Sequence, residues 1–311
     1  MLLRPEKGFA RSTNKNNVGK SELADWIEAS CFLLQERVSK SDIVDVLVEE
    51  QICDDDDQDL AHQIADIGFE EVAKRLRLLG SVNAVERKRD HFLPMIDIED
   101  EPLYAFFLTL SISRIYPDWA RDYSDYSYQG DLFERVVECL CPGILPGWTT
   151  YRAGWSPENT VSIGTIVDEL CPRLNTRGHP NLAHWVPNAA KDGGLDLVCY
   201  RNFDDGKEAL PTFLIQCASG ANWRTKVATP SGNAWKTYLD SAVVPSTAIA
   251  APFVITDEEL RFAGLEGQVI VFDRARLLQG VVASNENLTD DLLDEIFNFV
   301  TAYLHHLPLA A

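Results

Sequence analysis

From Ser21 to about Gly80, apolar residues recur at helical spacing. Leu23, Trp26, Ile27, Leu33, Leu34 and Val38 fall mostly on one stripe behind Ser21, whose hydroxyl can cap a first helix. A shorter set, Ile43, Val44, Val46, Leu47 and Val48, follows a second candidate cap, Ser41. A third helix is expected from about Asp59 to Gly80, the glycine suiting the left-handed turn that ends many helices. These elements read as a helical accessory domain over residues 1–95.

The pattern changes in the remainder, residues 96–311, which reads as a second domain. Pro102–Tyr116 is apolar around most of its circumference and predicts a buried helix. A polar loop, Ser124–Gly130, leads into a helix over Asp131–Leu140 that Pro142 and Gly143 close. From about Trp148 the pattern turns to strands and loops, with Trp148, Tyr151 and Trp155 in a first strand and turn. Leu195–Tyr200 and Thr212–Ala218 are short strands separated by the polar turn Asp204–Lys207. A helix near Ala234–Leu239, apolar runs at Thr247–Ile255 and Val269–Phe272, and a last helix over Thr289–His306 complete the chain. Strands interleaved with helices indicate an α/β fold.

Length and composition narrow the function. The 311 residues suit one large domain or two moderate ones, and 46% apolar content is too rich for disorder. With 28 basic against 48 acidic residues the net charge is −20, which excludes a generic basic nucleic-acid coat. A nucleic-acid enzyme remains open, because phosphate contacts need only a local basic groove. Arg4, Lys7, Arg11, Lys15 and Lys20 form a basic arm against the single acid Glu6. A solvated terminus is the favoured reading of that arm and a DNA-seeking tail the other. Seven scattered cysteines without a Cys-x-x-Cys pair imply reduced thiols and a cytoplasmic setting, and no apolar run is long enough for a membrane span. The acid run Asp54–Asp57 is read as a solvated turn ahead of a helix start in preference to a metal site.

Several catalytic patterns are missing. There is no phosphate-binding Gly-rich loop, no His-Glu-x-x-His and no Gly-x-Ser-x-Gly elbow, and Ser219 lacks the flanks of a nucleophile. His179 and His184 share a loop rich in Pro and Asn, where unliganded histidines are the expectation.

The informative stretch runs from Lys191 to Lys226. Asp196 enters a strand behind the glycine pair of Asp192-Gly-Gly-Leu-Asp196, and Gln216 interrupts an otherwise apolar strand. Alternation puts Leu214, Gln216 and Ala218 on one face and Phe213, Ile215 and Cys217 on the other, so Gln216 needs a hydrogen-bonding task. Trp223 beside Arg224 suits either stacking on a base or a place in the core, and Lys191 and Arg224 are candidate phosphate contacts.

Together these residues resemble the PD-(D/E)XK, or restriction-endonuclease-like, nuclease superfamily, whose members pair a strand acid with Glu/Gln-x-Lys on the next strand. Many add a Glu on the preceding helix. Asp196 matches the first acid, Gln216 the Glu/Gln position and Glu134 of Asp131-Leu-Phe-Glu134 the helical acid, over roughly residues 125–280. The resemblance implies a mixed sheet flanked by helices and Mg²⁺ held by Glu134, Asp196 and Gln216. It also implies DNA as substrate, in bacterial restriction or phage defence. Glu138, one turn beyond Glu134, is an additional acid or, preferably, a surface ion-pair partner.

One departure matters. The lysine position two after Gln216 is Ala218, so the charge must come from Lys226, or failing that Arg224; otherwise the domain is a degenerate module that binds a protein or nucleic-acid partner. A homodimer is the expectation for double-strand cutting, and a helicase or ATPase is the kind of protein partner the class suggests.

Overall fold

Gly19, not Ser21, stands at the start of the first helix, α1 (Lys20–Phe32), and the Ser21 hydroxyl instead donates to the Val254 carbonyl at 2.7 Å. This geometry comes from a computed structural model, which describes residues 1–3, 5, 19–49, 58–117, 119, 125–154, 161–187, 191–284 and 288–309. The run Asp54–Asp57, Trp155, Cys53 and all of the basic arm except Lys20 lie outside the described residues.

The chain divides into two units, one built from residues 1–124, 252–254 and 289–311 and the other from 125–251 and 255–288. The expected boundary near residue 95 thus falls inside the first unit. The physical reason is α4 (Pro102–Ser113), in which every residue from Leu103 to Ile112 is buried. A helix apolar on all sides must be surrounded, and α1 and the last helix, α11 (Asp290–Leu304), both pack on it.

In the first unit α2 (Lys40–Glu49) is capped by Ser39 and not by Ser41: Ser39 N donates to Asp42 Oδ2 at 2.7 Å while Asp42 N donates back to Ser39 Oγ at 3.2 Å. Helix α3 (Gln58–Leu79) runs into a short turn opened by Gly80 at φ +56°, as its sequence predicts. An unpredicted antiparallel sheet joins β1 (Val38–Ser39), β3 (His91–Pro94) and β2 (Val85–Lys88) in that order. Val-Glu-Arg-Lys and His-Phe-Leu-Pro are too short to show alternation.

The second unit holds a five-stranded sheet of order β4 (Thr149–Arg152), β5 (Leu197–Tyr200), β6 (Thr212–Cys217), β7 (Ser246–Ala250), β8 (Val269–Phe272). The β4–β5 and β5–β6 pairs are antiparallel and the β6–β7 and β7–β8 pairs parallel. The mixed α/β architecture expected from the sequence is therefore present. Helix α5 (Tyr126–Ile144) starts five residues ahead of the expected Asp131, because the Asp125 side chain accepts from Ser127 N and Tyr128 N. It packs along α10 (Arg274–Ser284) and against β4 to β6. Val198, Tyr200 and Leu214 form one core with Trp235 of α8 (Gly232–Tyr238) and Ile166, Val167 and Leu170 of α6 (Ile163–Arg173). Residues of opposite parity on β5 face α5, where Cys199 meets Cys141. A four-residue helix, α7 (Leu182–Trp185), precedes β5, and α9 (Asp257–Gly267) links β7 to β8. Among the described residues no helix is long and apolar enough to cross a membrane.

Candidate active site

The backbone at the entry to β5 is irregular, and the irregularity aims the acids. Leu197 pairs with Ile215, yet Asp196 N also donates to the Ile215 carbonyl at 3.1 Å, so two residues of one strand face one of the other. On the other edge Ala153 N and Gly154 N both donate to the Asp196 carbonyl, at 2.7 and 3.0 Å. Each is a β-bulge, a device that turns a side chain out of strict alternation. Ahead of them Gly193 and Gly194 adopt φ of +65° and +72°, a conformation open to glycine, with Gly194 N donating to Asp192 Oδ1 at 2.8 Å.

The re-aimed Asp196 side chain is 7% exposed, and its Oδ2 accepts from Cys217 N at 2.6 Å. Glu134, on α5, lies beside it. The Glu134 carboxylate rests on the bare Cα of Gly154: a Cβ built there would stand 2.4 Å from Glu134 Oε2. Both acids resist ionisation. Burial and the neighbouring Asp196 push Glu134 up to about 8; Arg152 pulls it down, and Asp131 and Asp192 add to the rise. Asp196 rises to about 7, chiefly through burial; the Cys217 N–H lowers it, Asp192 raises it and the Lys226 ammonium lowers it.

Lys226 ends a short helical turn, Trp223–Lys226, and is the cation that acts on Asp196. Ala218 is buried, with its N–H on the Ala250 carbonyl at 2.8 Å, so nothing at that position carries charge. Gln216 has a hydrogen-bond partner of its own. Its Oε1 accepts from the Thr229 hydroxyl at 2.5 Å, close to Gly194, and Thr229 N donates to the Lys226 carbonyl at 2.9 Å. Gln216 therefore holds the turn that carries Lys226.

The other predicted residues have these surroundings. Trp223 is 0% exposed with the Arg224 guanidinium over its ring at 4.8 Å, which corrects the stacking expectation: no base can reach that ring. Arg224 is also bonded to Glu259, which neutralises it as an alternative to Lys226. Lys191 is exposed at the start of the glycine turn. Glu138 lies 4.0 Å from Arg152, so the ion-pair reading of it holds. The sequence reading missed Asp192, Arg152, Gly154 and Thr229. Asp192 stood inside the quoted Asp-Gly-Gly-Leu-Asp motif; the others become visible only once the bulges bring β4 and the turn to Asp196.

Among the described residues no group of three or more His, Cys, Asp and Glu side chains is placed to hold a metal ion. The donor chemistry nevertheless fits Mg²⁺, a hard cation commonly bound through one or two carboxylates, water and substrate phosphate. Two adjacent carboxyls that resist ionisation are what such a cation would relieve.

No protein-family model matches the chain, and no curated protein matches it. Among solved structures the restriction endonuclease FokI bound to DNA is similar at a TM-score of 0.20 and 9% identity, over 92% of this chain. The chain spans about half of that one, 49%. So slight a likeness bears on neither fold nor activity, and the functional reading rests on the site.

Proposed function

We propose that the second unit is a Mg²⁺-dependent nuclease that hydrolyses DNA phosphodiester bonds. The observation that carries the reading is the meeting of Glu134 from α5 with Asp196 from the bulged entry of β5, with Lys226 acting on the same carboxylate. This is the trio of charges that the resemblance to the PD-(D/E)XK superfamily implies, with the lysine supplied from a later turn. Magnesium, when bound, supplies positive charge to the scissile phosphate.

Each residue then has a task that its surroundings support. Glu134 and Asp196 would hold the cation, and Gly154 leaves room for the first of them. Cys217 N fixes one Asp196 oxygen and with it the orientation of the carboxylate. The Lys226 ammonium orients the attacking water and offsets phosphate charge, while Thr229 and Gln216 keep its turn in place. Arg152, bound to Asp131 at 3.0 Å, tempers the charge around Glu134. A setting in restriction or phage defence, with a homodimer or a motor protein as partner, belongs to the same proposal.

The test is incubation of supercoiled plasmid with the full chain and Mg²⁺, beside Asp196→Ala and a chelator control. Nicking or linearisation by wild type alone is expected. Equal cutting by the variant would place the chemistry elsewhere, and no cutting with any divalent metal would leave a binding module.

A further inference from the structure

Ahead of the site, the chain changes its charge character. In a protein with 48 acidic residues, the stretch from Arg173 to Pro187 contains none, and it carries Arg173, Arg177, His179 and His184. The same stretch presents a tryptophan. Trp185 is 53% exposed although its neighbours Leu182 and Val186 pack against the core, so the ring stands on an anchored support. His179 and His184 set their rings edge-on to it at centroid distances of 5.8 and 5.9 Å, and His179 Nδ1 accepts from Asn181 N at 3.1 Å. With both imidazoles against it the indole still keeps about half of its area exposed to solvent.

Burying such a ring among apolar groups is the usual outcome, and Trp223 and Trp235 of the same unit follow it at 0% and 1% exposure. An exposed aromatic ring in a stretch of chain that carries cations and no acid is instead a combination that takes unpaired bases, because every base has a face to stack and every linkage a phosphate to neutralise. Arg177 is exposed and makes no ion pair among the described residues, whereas Arg173 is committed to Glu169 at 2.9 Å and lies over Tyr151. Arg177 is therefore the cation available to a phosphate.

We propose that Trp185 and Arg177 form a contact for a single-stranded segment of DNA, a base stacking on the indole and its phosphate meeting the guanidinium. The inference deepens the nuclease reading and rests on it for the choice of DNA as the polyanion. It locates substrate holding on the segment that leads into the Asp192–Asp196 turn, and it replaces the buried Trp223 as the stacking residue.

The test is fluorescence anisotropy of a labelled oligothymidylate with the full chain at low salt in Ca²⁺, beside Trp185→Ala, Trp185→Phe and Arg177→Ala. Trp185→Ala should weaken binding by about tenfold and Trp185→Phe by clearly less. Arg177→Ala should lower the slope of log affinity against log salt by about one. The cleavage assay reads the acids and this titration reads Trp185 and Arg177, so a failure there and a failure here are separate results. Unchanged binding by Trp185→Ala would overturn the proposal. Equal affinity for a blunt duplex, equally weakened by the substitution, would overturn its single-strand assignment. A wild-type chain that ignores the oligonucleotide would point to a protein as the occupant and refute it.

Discussion

Replacing Gly154 with alanine probes the placement of Glu134 without touching an acid. The added Cβ would lie 2.4 Å from Glu134 Oε2, where ordinary contact is about 3.4 Å, so the carboxylate must retreat by roughly 1 Å. The group that yields is the free end of a flexible side chain, and Gly154 is not among the residues at positive φ. Folding should therefore suffer little, and the stiffer unfolded chain can even add about 0.4–1 kcal/mol. Catalysis is far less tolerant, since a misplacement of ~1 Å can cost about 10²-fold in rate. Plasmid cleavage against time at several Mg²⁺ concentrations, paired with thermal melts, separates the two effects. The expected result is a fall of about two orders of magnitude in cleavage with a melting temperature equal to or above wild type. Cleavage at the wild-type rate, in a protein that melts normally, would show that the Glu134 carboxylate has no part in the chemistry.

Other outcomes follow from the same geometry. Glu134 and Asp196 are both raised above their unfolded values, so the stability they confer is full below about pH 4 and is lost as pH rises toward 7 to 8. Melts without metal should thus show a decline over that range, and Mg²⁺ or Asp196→Asn should flatten it. Lys226→Ala should abolish most cleavage and Lys226→Arg should keep some, measured on plasmid at equal protein concentration. Gln216→Ala and Thr229→Val should each slow cleavage, and the double variant should be no worse than the poorer single one, as a double-mutant cycle reads for partners in one hydrogen bond. In the first unit Arg75 is 1% exposed and bonded at 2.8 Å to both Asp25 and Glu28, so Arg75→Ala should cost about 3–5 kcal/mol in urea unfolding by taking a buried cation from two buried carboxylates.

The two acids were legible because their signals are local: Glu134 sits on a periodic helix, and Asp196 follows a glycine pair at a strand start. Their partnership was less so. A bulge carries no residue signature, and strict alternation would have set Asp196 opposite Gln216, whose amide oxygen accepts from Thr229. Trp223 was ambiguous from the outset, because a tryptophan next to an arginine suits a core and a binding face equally. Long-range burial decided it. Helix α9 was missed although Thr256-Asp-Glu-Glu259 spells a capping box, which the structure forms. The assignment of residues 96–124 to the first unit depended on which helices surround α4, and no local pattern records that.

The claim beneath all of this is that two buried, proton-holding carboxyls exchange their protons for a divalent cation. Calorimetric titration of the full chain with Mg²⁺ at pH 7, repeated in buffers of different ionisation enthalpy, reads that exchange directly. The account predicts saturable binding with net proton release that disappears in Asp196→Ala. Absence of binding, or binding without proton release that survives the substitution, would contradict it.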